Sequence, residues 1–330
     1  FLHLINMKLF NTKKKSIEGV DRKPFKNERE IQTLVENNME EFLNLEFVCS
    51  EYSIDGFRLD SIGFDHESKC FVIVEYKKGS SYSVVDQGST YLSIMYDRLS
   101  DFILEYNDRT GSNLKKKDVD FTQSRVVFIS TSFNSYQKNS INFSNIPFEL
   151  YVIKKYSNDI VSFDKIISTP KGDFRKLTKG KNKKVDSVIS KVKVFTEQDL
   201  VDKLSKNKEN LWTDLKDNLE NWEDINFIPK KHYIGFWKDN KVVSYIHVKN
   251  GIIVFHVIRG NIYPDQSKSK TWFELDDPKK MSKVISRNFT GRDGVVYKHE
   301  YYKIPFSNIN DLDHILLLIK QKYNSLWYSP

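Results

Sequence analysis

Residues 55–91 read DGFRLDSIGFDHESKCFVIVEYKKGSSYSVVDQGSTY, and the rest of the first half of the chain is arranged around them. Asp60 closes a short apolar segment, and after a turn at 65–68 an apolar run leads to Glu75 and Lys77. Because side chains alternate along a strand, Glu75 and Lys77 point the same way at a strand end, where Asp60 of a hairpin partner can meet them. Two carboxylates and an amine in this arrangement are the parts of a divalent-metal phosphodiesterase site.

Apolar patterns on either side of this stretch predict the surrounding elements. Helical spacing predicts one helix that begins after Asn27 and a second over 84–106. Short apolar runs predict strands at 45–53, 56–63, 71–77, 125–130 and 148–154. The order helix, three strands, helix, strand, strand indicates a mixed α/β (α+β) domain, which we assign to residues 1–170.

A basic segment separates this domain from the second half. Seven of the fourteen residues in 171–184 (KGDFRKLTKGKNKK) are Lys or Arg, and only Asp173 opposes them. We interpret 171–193 as a solvated basic linker, with a strap that contacts phosphates as the alternative. Residues 194–330 then form a smaller C-terminal α+β domain, in which Asn250-Gly251 predicts a hairpin turn between alternating strands. Its expected role is substrate selection or assembly.

Composition limits the classes of protein that fit. The chain has 330 residues with a formal net charge of +8, which permits a polyanionic partner such as nucleic acid without requiring one. The two cysteines lack a Cys-x-x-Cys partner, and the seven histidines show no zinc spacing. No apolar run approaches the roughly 20 residues of a membrane span, and 1–5 is too short for a signal peptide. We therefore predict a cytoplasmic protein with no membrane partner.

The Glu-x-Lys strand end supports a specific chemistry. Hard divalent cations choose oxygen ligands, so Asp60 and Glu75 are the predicted metal ligands. Lys77 would orient or deprotonate the attacking water, or stabilise charge on the phosphate, and burial beside a metal is expected to lower its pKa. The alternative is a simple ion pair that ends an exposed edge strand.

The segments LDSIG (59–63), FVIVEYKKG (71–79) and VVDQGSTYL (84–92) together resemble the PD-(D/E)XK nuclease superfamily, and most closely its RecB-like branch. The resemblance implies a restriction-endonuclease-like mixed sheet flanked by helices, and Mg²⁺ as cofactor with Mn²⁺ able to substitute. It also implies that Gln87 and Tyr91, one helical turn apart, line the site and touch the nucleic-acid backbone. Leu59 stands where the family name has proline, a position that varies in the superfamily.

The same resemblance implies an acidic residue on the first helix. The stretch from Glu28 to Gln32 is similar to the family's Glu-x-x-(aliphatic)-Gln, which makes Glu28 the third expected metal ligand. Glu30 is the alternative carboxylate, although it is also placed to complete a capping box with Asn27. The likeness covers roughly residues 25–155.

The C-terminal half resembles an uncharacterised small α/β domain found at the end of many bacterial proteins, some labelled predicted transporters and others restriction-type endonucleases. The similar residues are FWKDNKVVSYIHVKNG (236–251), GRDG (291–294) and DLDHILLLIKQKY (311–323). His247 and His256 lie in predicted strands there, and we interpret them as packing histidines rather than ligands. The combined expectation is a Mg²⁺-dependent endonuclease that cuts DNA rather than RNA in restriction or defence. The alternative is an inactive nucleic-acid-binding or assembly module, and a homodimer is left open.

Overall fold

The computed structural model describes residues 9–12, 17–79, 83–141, 147–166, 195–206, 208–239 and 241–326. The basic linker predicted at 171–193 lies outside the described residues. The domain limits therefore remain predictions, whereas the mixed α+β fold class is confirmed. No helix in the described ranges is long and apolar enough to cross a membrane.

The first half of the chain forms a mixed sheet with helices on both faces. Its helices are α1 (Glu28–Glu36), α2 (Met39–Leu43), α3 (Val84–Asp97), α4 (Leu99–Thr110) and α5 (Ser135–Ser140). Its strands are β1 (Leu9–Asn11), β2 (Glu18–Val20), β3 (Arg22–Lys23), β4 (Glu46–Ile54), β5 (Phe57–Asp65), β6 (Cys70–Lys77), β7 (Arg125–Ser130), β8 (Phe148–Tyr156) and β9 (Val161–Lys165). β1 and β2 pair with each other, and the main sheet runs β3–β8–β7–β6–β5–β4, with β9 added to β8.

Strand β6 is the central strand of this sheet. It pairs antiparallel with β5 and parallel with β7, and every residue from Cys70 to Tyr76 is buried. One face of the sheet packs on α3 and α4, while the other packs on α1 and α2. A strand covered on both faces must be almost wholly apolar, which explains the run from Phe71 to Val74 and makes the buried Glu75 conspicuous.

Two helices predicted as continuous are each divided in two. The first breaks at Asn37–Asn38, where the Asn38 side chain donates to the carbonyl of Leu34. The second breaks at Arg98, whose backbone leaves the helical region. Asparagine competes for backbone hydrogen bonds in this way, which the apolar spacing alone does not reveal.

The second half forms an antiparallel six-stranded sheet with helices against it. Its elements are α6 (Gln198–Val201), α7 (Glu209–Glu220), β10 (Ile225–Pro229), β11 (Tyr233–Lys238), β12 (Lys241–Lys249), β13 (Ile252–Ile262), β14 (Lys283–Thr290), β15 (Val296–Phe306) and α8 (Leu312–Ser325). The strand order is β10–β11–β12–β13–β15–β14. The predicted Asn250-Gly251 turn is confirmed, since both residues have positive φ (52° and 72°), as a tight hairpin between β12 and β13 requires.

Glutamates of the first half meet basic side chains of the second half in pairs. Glu36, Glu40 and Glu67 of the first half lie against Arg292, His299 and His247 of the second, respectively. The carboxylates of all three pairs are largely shielded from solvent. Buried carboxylates require hydrogen-bond or ionic partners, so these pairs help to fix how the two sheets meet.

Candidate metal centre

The pairing register of β5 and β6 places Asp60 opposite Glu75. Ser61 pairs with Val74, and Asp60 and Glu75 are the next residues outward on the two strands. The Nζ of Lys77 donates to Oε1 of Glu75 at 2.7 Å, so these side chains share one face as alternation predicts. Three groups identified from the sequence therefore meet where the β5–β6 pairing ends.

Helix α3 brings the next two candidates to the same carboxylate. Nε2 of Gln87 donates to Oε1 of Glu75 at 2.6 Å and to the hydroxyl of Tyr91 at 2.9 Å. Ser83 caps the helix through a bond from the backbone N–H of Asp86, which sets where its first turn begins. Burial and the nearby Glu75 raise the pKa of Tyr91 to about 12, so its hydroxyl stays protonated at neutral pH.

The donor set fits a hard divalent cation. Oε2 of Glu75 is buried and has no hydrogen-bond partner among the residues the structure describes. Asp60 accepts from the backbone N–H of Tyr76 at 2.9 Å, yet burial and the charge of Glu75 raise its pKa to about 7. The carboxylates of Asp60 and Glu75 repel each other, and one oxygen of Glu75 has no partner among the described residues. A bound cation would stabilise this arrangement.

Glu28 lies at the rim of this group. It is exposed, and its Oε1 accepts from the backbone N–H of Lys78, just beyond the end of β6. Glu30 is engaged elsewhere, with Oε1 2.7 Å from Nζ of Lys155, while its backbone N–H bonds to the Asn27 cap. Glu28 is therefore the closer of the two to the end of β6.

Glu51 is a carboxylate that the sequence interpretation missed. The pairs Ser50–Ser61 and Tyr52–Leu59 flank it, so Glu51 faces Asp60 across β4 and β5. Its φ of 56° is unusual for a strand residue and marks local strain beside the site. Its Oε1 accepts from Nε2 of Gln32 at 3.0 Å, and its charge contributes to the raised pKa of Asp60. Three acidic residues therefore occupy neighbouring register positions on β4, β5 and β6, although the Glu51 carboxylate is bonded to side chains of α1.

In the protein without metal the pKa of Lys77 is raised, and the lowering expected beside a bound metal stays a prediction. Burial does oppose the charged form, but the hydrogen bond and charge of Glu75, helped by Asp60, outweigh it and raise the pKa. Lys77 is therefore held as an ammonium. This state suits stabilisation of negative charge better than removal of a proton.

A second group of potential ligands lies where the two halves meet. Glu67, His247 and His256 each offer an atom within 4.8 Å of the others. Nε2 of His247 and Nδ1 of His256 lie 2.6 and 2.9 Å from the same oxygen of Glu67, which are hydrogen-bond distances. The other nitrogen of His256 faces Nζ of Lys249 at 3.1 Å, and Arg287 lies 3.5 Å from the second oxygen of Glu67. A cation here would meet two existing positive charges, so we treat the group as a hydrogen-bonded cluster.

This cluster predicts a loss of stability in mild acid. Burial lowers the pKa of His256 to about 4 despite the opposing effect of Glu67, whereas the unfolded chain titrates near 6.5. The stability this contributes is complete above pH 6.5 and falls as the pH drops toward 4, by about 2 kcal/mol between pH 7 and 5. Urea unfolding of His256→Gln at pH 7 and pH 5 should show a smaller decrease in the free energy of unfolding than wild type shows between the same two pH values. Equal drops would contradict the assignment.

Asp60 predicts the opposite trend in the metal-free protein. Its pKa is raised to about 7 from 3.8, so the folded state loses stability as the pH rises from 4 to 7 and stays lower above that. In EDTA at pH 8, Asp60→Asn should therefore be more stable than wild type by roughly 2 kcal/mol, allowing for solvent at a half-buried group. At pH 4 the difference should vanish. Thermal melts at the two pH values measure this, and a less stable Asp60→Asn at pH 8 would contradict it.

Comparison with known proteins finds a relative that matches almost the whole chain. No family model matches it, and no solved structure matches. A protein of Haemophilus influenzae (strain ATCC 51907 / DSM 11121 / KW20 / Rd), described as an uncharacterized protein, is 34% identical over 322 residues, which cover 96% of this chain and 99% of the relative. The chain belongs to the same family as this Haemophilus protein.

Proposed function

We propose that this protein is a metal-dependent endonuclease that hydrolyses phosphodiester bonds. The observation that carries the proposal is the meeting of Asp60 and Glu75 on adjacent strands, with Lys77 and Gln87 both bonded to Glu75. A structural ion pair accounts for Lys77 alone. It does not account for a second carboxylate beside it, or for a buried carboxylate oxygen that has no hydrogen-bond partner among the described residues.

Each residue of the candidate site has a distinct proposed role. Asp60 and Glu75 would hold Mg²⁺, or Mn²⁺ in its place, with Glu28 contributing from the rim. When bound, the ion would supply an activated water and neutralise phosphate charge. Lys77 would place its ammonium against charge that develops on the phosphate, and Gln87 would orient the Glu75 carboxylate. Tyr91, protonated at neutral pH, would donate a hydrogen bond to the nucleic-acid backbone.

The proposal also covers the substrate and the cellular role of the enzyme. We infer DNA rather than RNA from the superfamily resemblance, and a restriction or defence role in the bacterial cytoplasm. The net charge of +8 agrees with a polyanionic substrate. The second half, in which the sequence offers no catalytic set, would select the substrate or mediate assembly.

The test is a cleavage assay with purified protein. Supercoiled plasmid, single-stranded DNA and single-stranded RNA are incubated with Mg²⁺, Mn²⁺ or EDTA, and products are resolved on gels. We expect cleavage with Mg²⁺ and Mn²⁺ and none in EDTA. Cleavage that persists in EDTA, or RNA cut in preference to DNA, would contradict the metal or the substrate assignment, respectively.

One contact favours a second function, an inactive nucleic-acid-binding or assembly module. The ammonium of Lys77 lies 2.7 Å from Glu75 and can offset the charge of that carboxylate without a metal. A degenerate nuclease fold could be stabilised in this way. Mn²⁺ titration separates the two functions, because the module would bind nucleic acid without binding Mn²⁺ at Asp60 and Glu75.

A further inference from the structure

A buried acidic residue lies behind the candidate site, on the opposite face of the sheet. The Glu36 side chain, on α1, has no exposure to solvent. Its Oε1 accepts from Nε2 of Gln32 at 2.9 Å and from the hydroxyl of Ser61 at 2.7 Å. Residues alternate in direction along β5, so Ser61 points toward α1 while its neighbour Asp60 points toward α3.

The bonds of this network reach the backbone that carries both proposed ligands. Nε2 of Gln32 also donates to the carbonyl oxygen of Asp60 at 3.0 Å. The Ser61 hydroxyl is hydrogen-bonded to the Tyr76 hydroxyl at 3.1 Å, and the Tyr76 backbone N–H bonds to Oδ2 of Asp60. Ser61 follows Asp60, and Tyr76 follows Glu75. Glu36 is thus linked to the residues that set the position of both carboxylates.

The counter-charge for Glu36 comes from the other half of the chain. Nε of Arg292 lies 2.5 Å from Oε2 of Glu36. Arg292 belongs to the GRDG turn at 291–294, and Arg109 of α4 donates to the carbonyls of Gly291 and Arg292 at 3.2 and 2.9 Å. In the described part of the chain, Arg292 is the cationic side chain that pairs with Glu36.

We propose that Arg292 is a positioning residue that couples the C-terminal half to the metal centre. This inference rests on the proposed function and deepens it, because it makes the second half part of the catalytic unit. Without Arg292, Glu36 becomes a buried charge with no counter-ion. That charge then draws its remaining donors, Gln32 and Ser61, toward itself, and both donors are linked to Asp60. Partners behind metal ligands typically affect metal affinity or activity by about 10- to 100-fold.

The experiment measures Mn²⁺ affinity by calorimetry, alongside cleavage rate and melting temperature. We expect Arg292→Gln to weaken Mn²⁺ binding by about 10- to 100-fold. The double variant Glu36→Gln/Arg292→Gln should recover to within about threefold of wild type, because its buried pair carries no unbalanced charge.

Arg287→Gln is the matched control. Arg287 comes from the same C-terminal sheet, has similar exposure (29% against 26%) and also lies against a carboxylate of the first half, Glu67. It has no contact with the Glu36 network, so Mn²⁺ affinity should not change. An equal loss in Arg287→Gln would mean that any weakening of the interface has this effect, and would overturn the proposal.

The remaining outcomes are also decisive. Wild-type affinity in Arg292→Gln, or a double variant no better than the single one, would overturn the positioning role. If Arg292→Gln does not fold, the double variant decides, and its failure to fold would make Arg292 a folding contact only. Asp60→Ala tests the proposed function separately. If it binds Mn²⁺ like wild type, the site itself is wrong whatever Arg292 does.

Discussion

Asp60→Ala and Glu75→Ala will each lower the rate of DNA cleavage by about 10³-fold or more. A metal that polarises phosphate and water supplies several kcal/mol of transition-state stabilisation, and each 1.36 kcal/mol lost costs a factor of ten. Removing either carboxylate takes away one of two oxygen ligands on adjacent strands. The measurement is single-turnover cleavage of a labelled duplex at saturating enzyme, repeated over a range of Mg²⁺ concentrations.

The control for these substitutions is Asp101→Ala. Asp101 is an exposed carboxylate in the first turn of α4, so its removal changes the net charge equally without touching the site. Its cleavage rate should match that of wild type. Cleavage that survives both Asp60→Ala and Glu75→Ala would refute the site, whatever fold the domain adopts.

Lys77→Met will lower the cleavage rate by about 10²- to 10³-fold, the usual effect of removing one group that stabilises transition-state charge. In the metal-free protein burial lowers the pKa of Lys77, but Glu75 and Asp60 outweigh it and hold the pKa above its ordinary value, so we expect an ammonium that does not titrate between pH 6 and 9. The loss should therefore be the same factor at every pH in that range. Lys77→Arg keeps the charge and should retain part of the activity.

The pH–rate profile separates two roles for Lys77. If it acted as a general base, wild type would show a rise in rate with pH that Lys77→Met lacks. Parallel profiles for wild type and Lys77→Met would support the electrostatic role. If Lys77→Met lacks a rise in rate with pH that wild type shows, Lys77 acts as the general base, the role that the sequence alone left open.

The sequence was sufficient for the parts of the site that depend on local pattern. Period-two alternation placed Glu75 and Lys77 on one face, and helical spacing brought Gln87 and Tyr91 together. The two members of each pair are only a few residues apart in the sequence. Their geometry follows from one element and needs no knowledge of which strands are neighbours.

What the sequence missed depends on register and on contacts between distant segments. Glu51 faces Asp60 only because β4 pairs with β5 in one particular register, and a shift of one residue would point it elsewhere. Arg292 lies 256 positions after Glu36, and nothing local to GRDG indicates that it reaches a buried carboxylate. The direction of the Lys77 pKa shift in the metal-free protein depends on how burial balances the charges of Glu75 and Asp60, and both burial and the approach of Asp60 are set by tertiary packing.

The cluster of Glu67 with His247 and His256 has an evolutionary consequence. Glu67 sits on the turn between the strands that carry Asp60 and Glu75, and both histidines belong to the other sheet. Loss of the carboxylate alone would leave two buried imidazoles without their acceptor, so a tolerated change at one position requires a compensating change at another. Among relatives, these three positions should covary. A chimera joining halves from two relatives should fold well only when both parents carry the same combination.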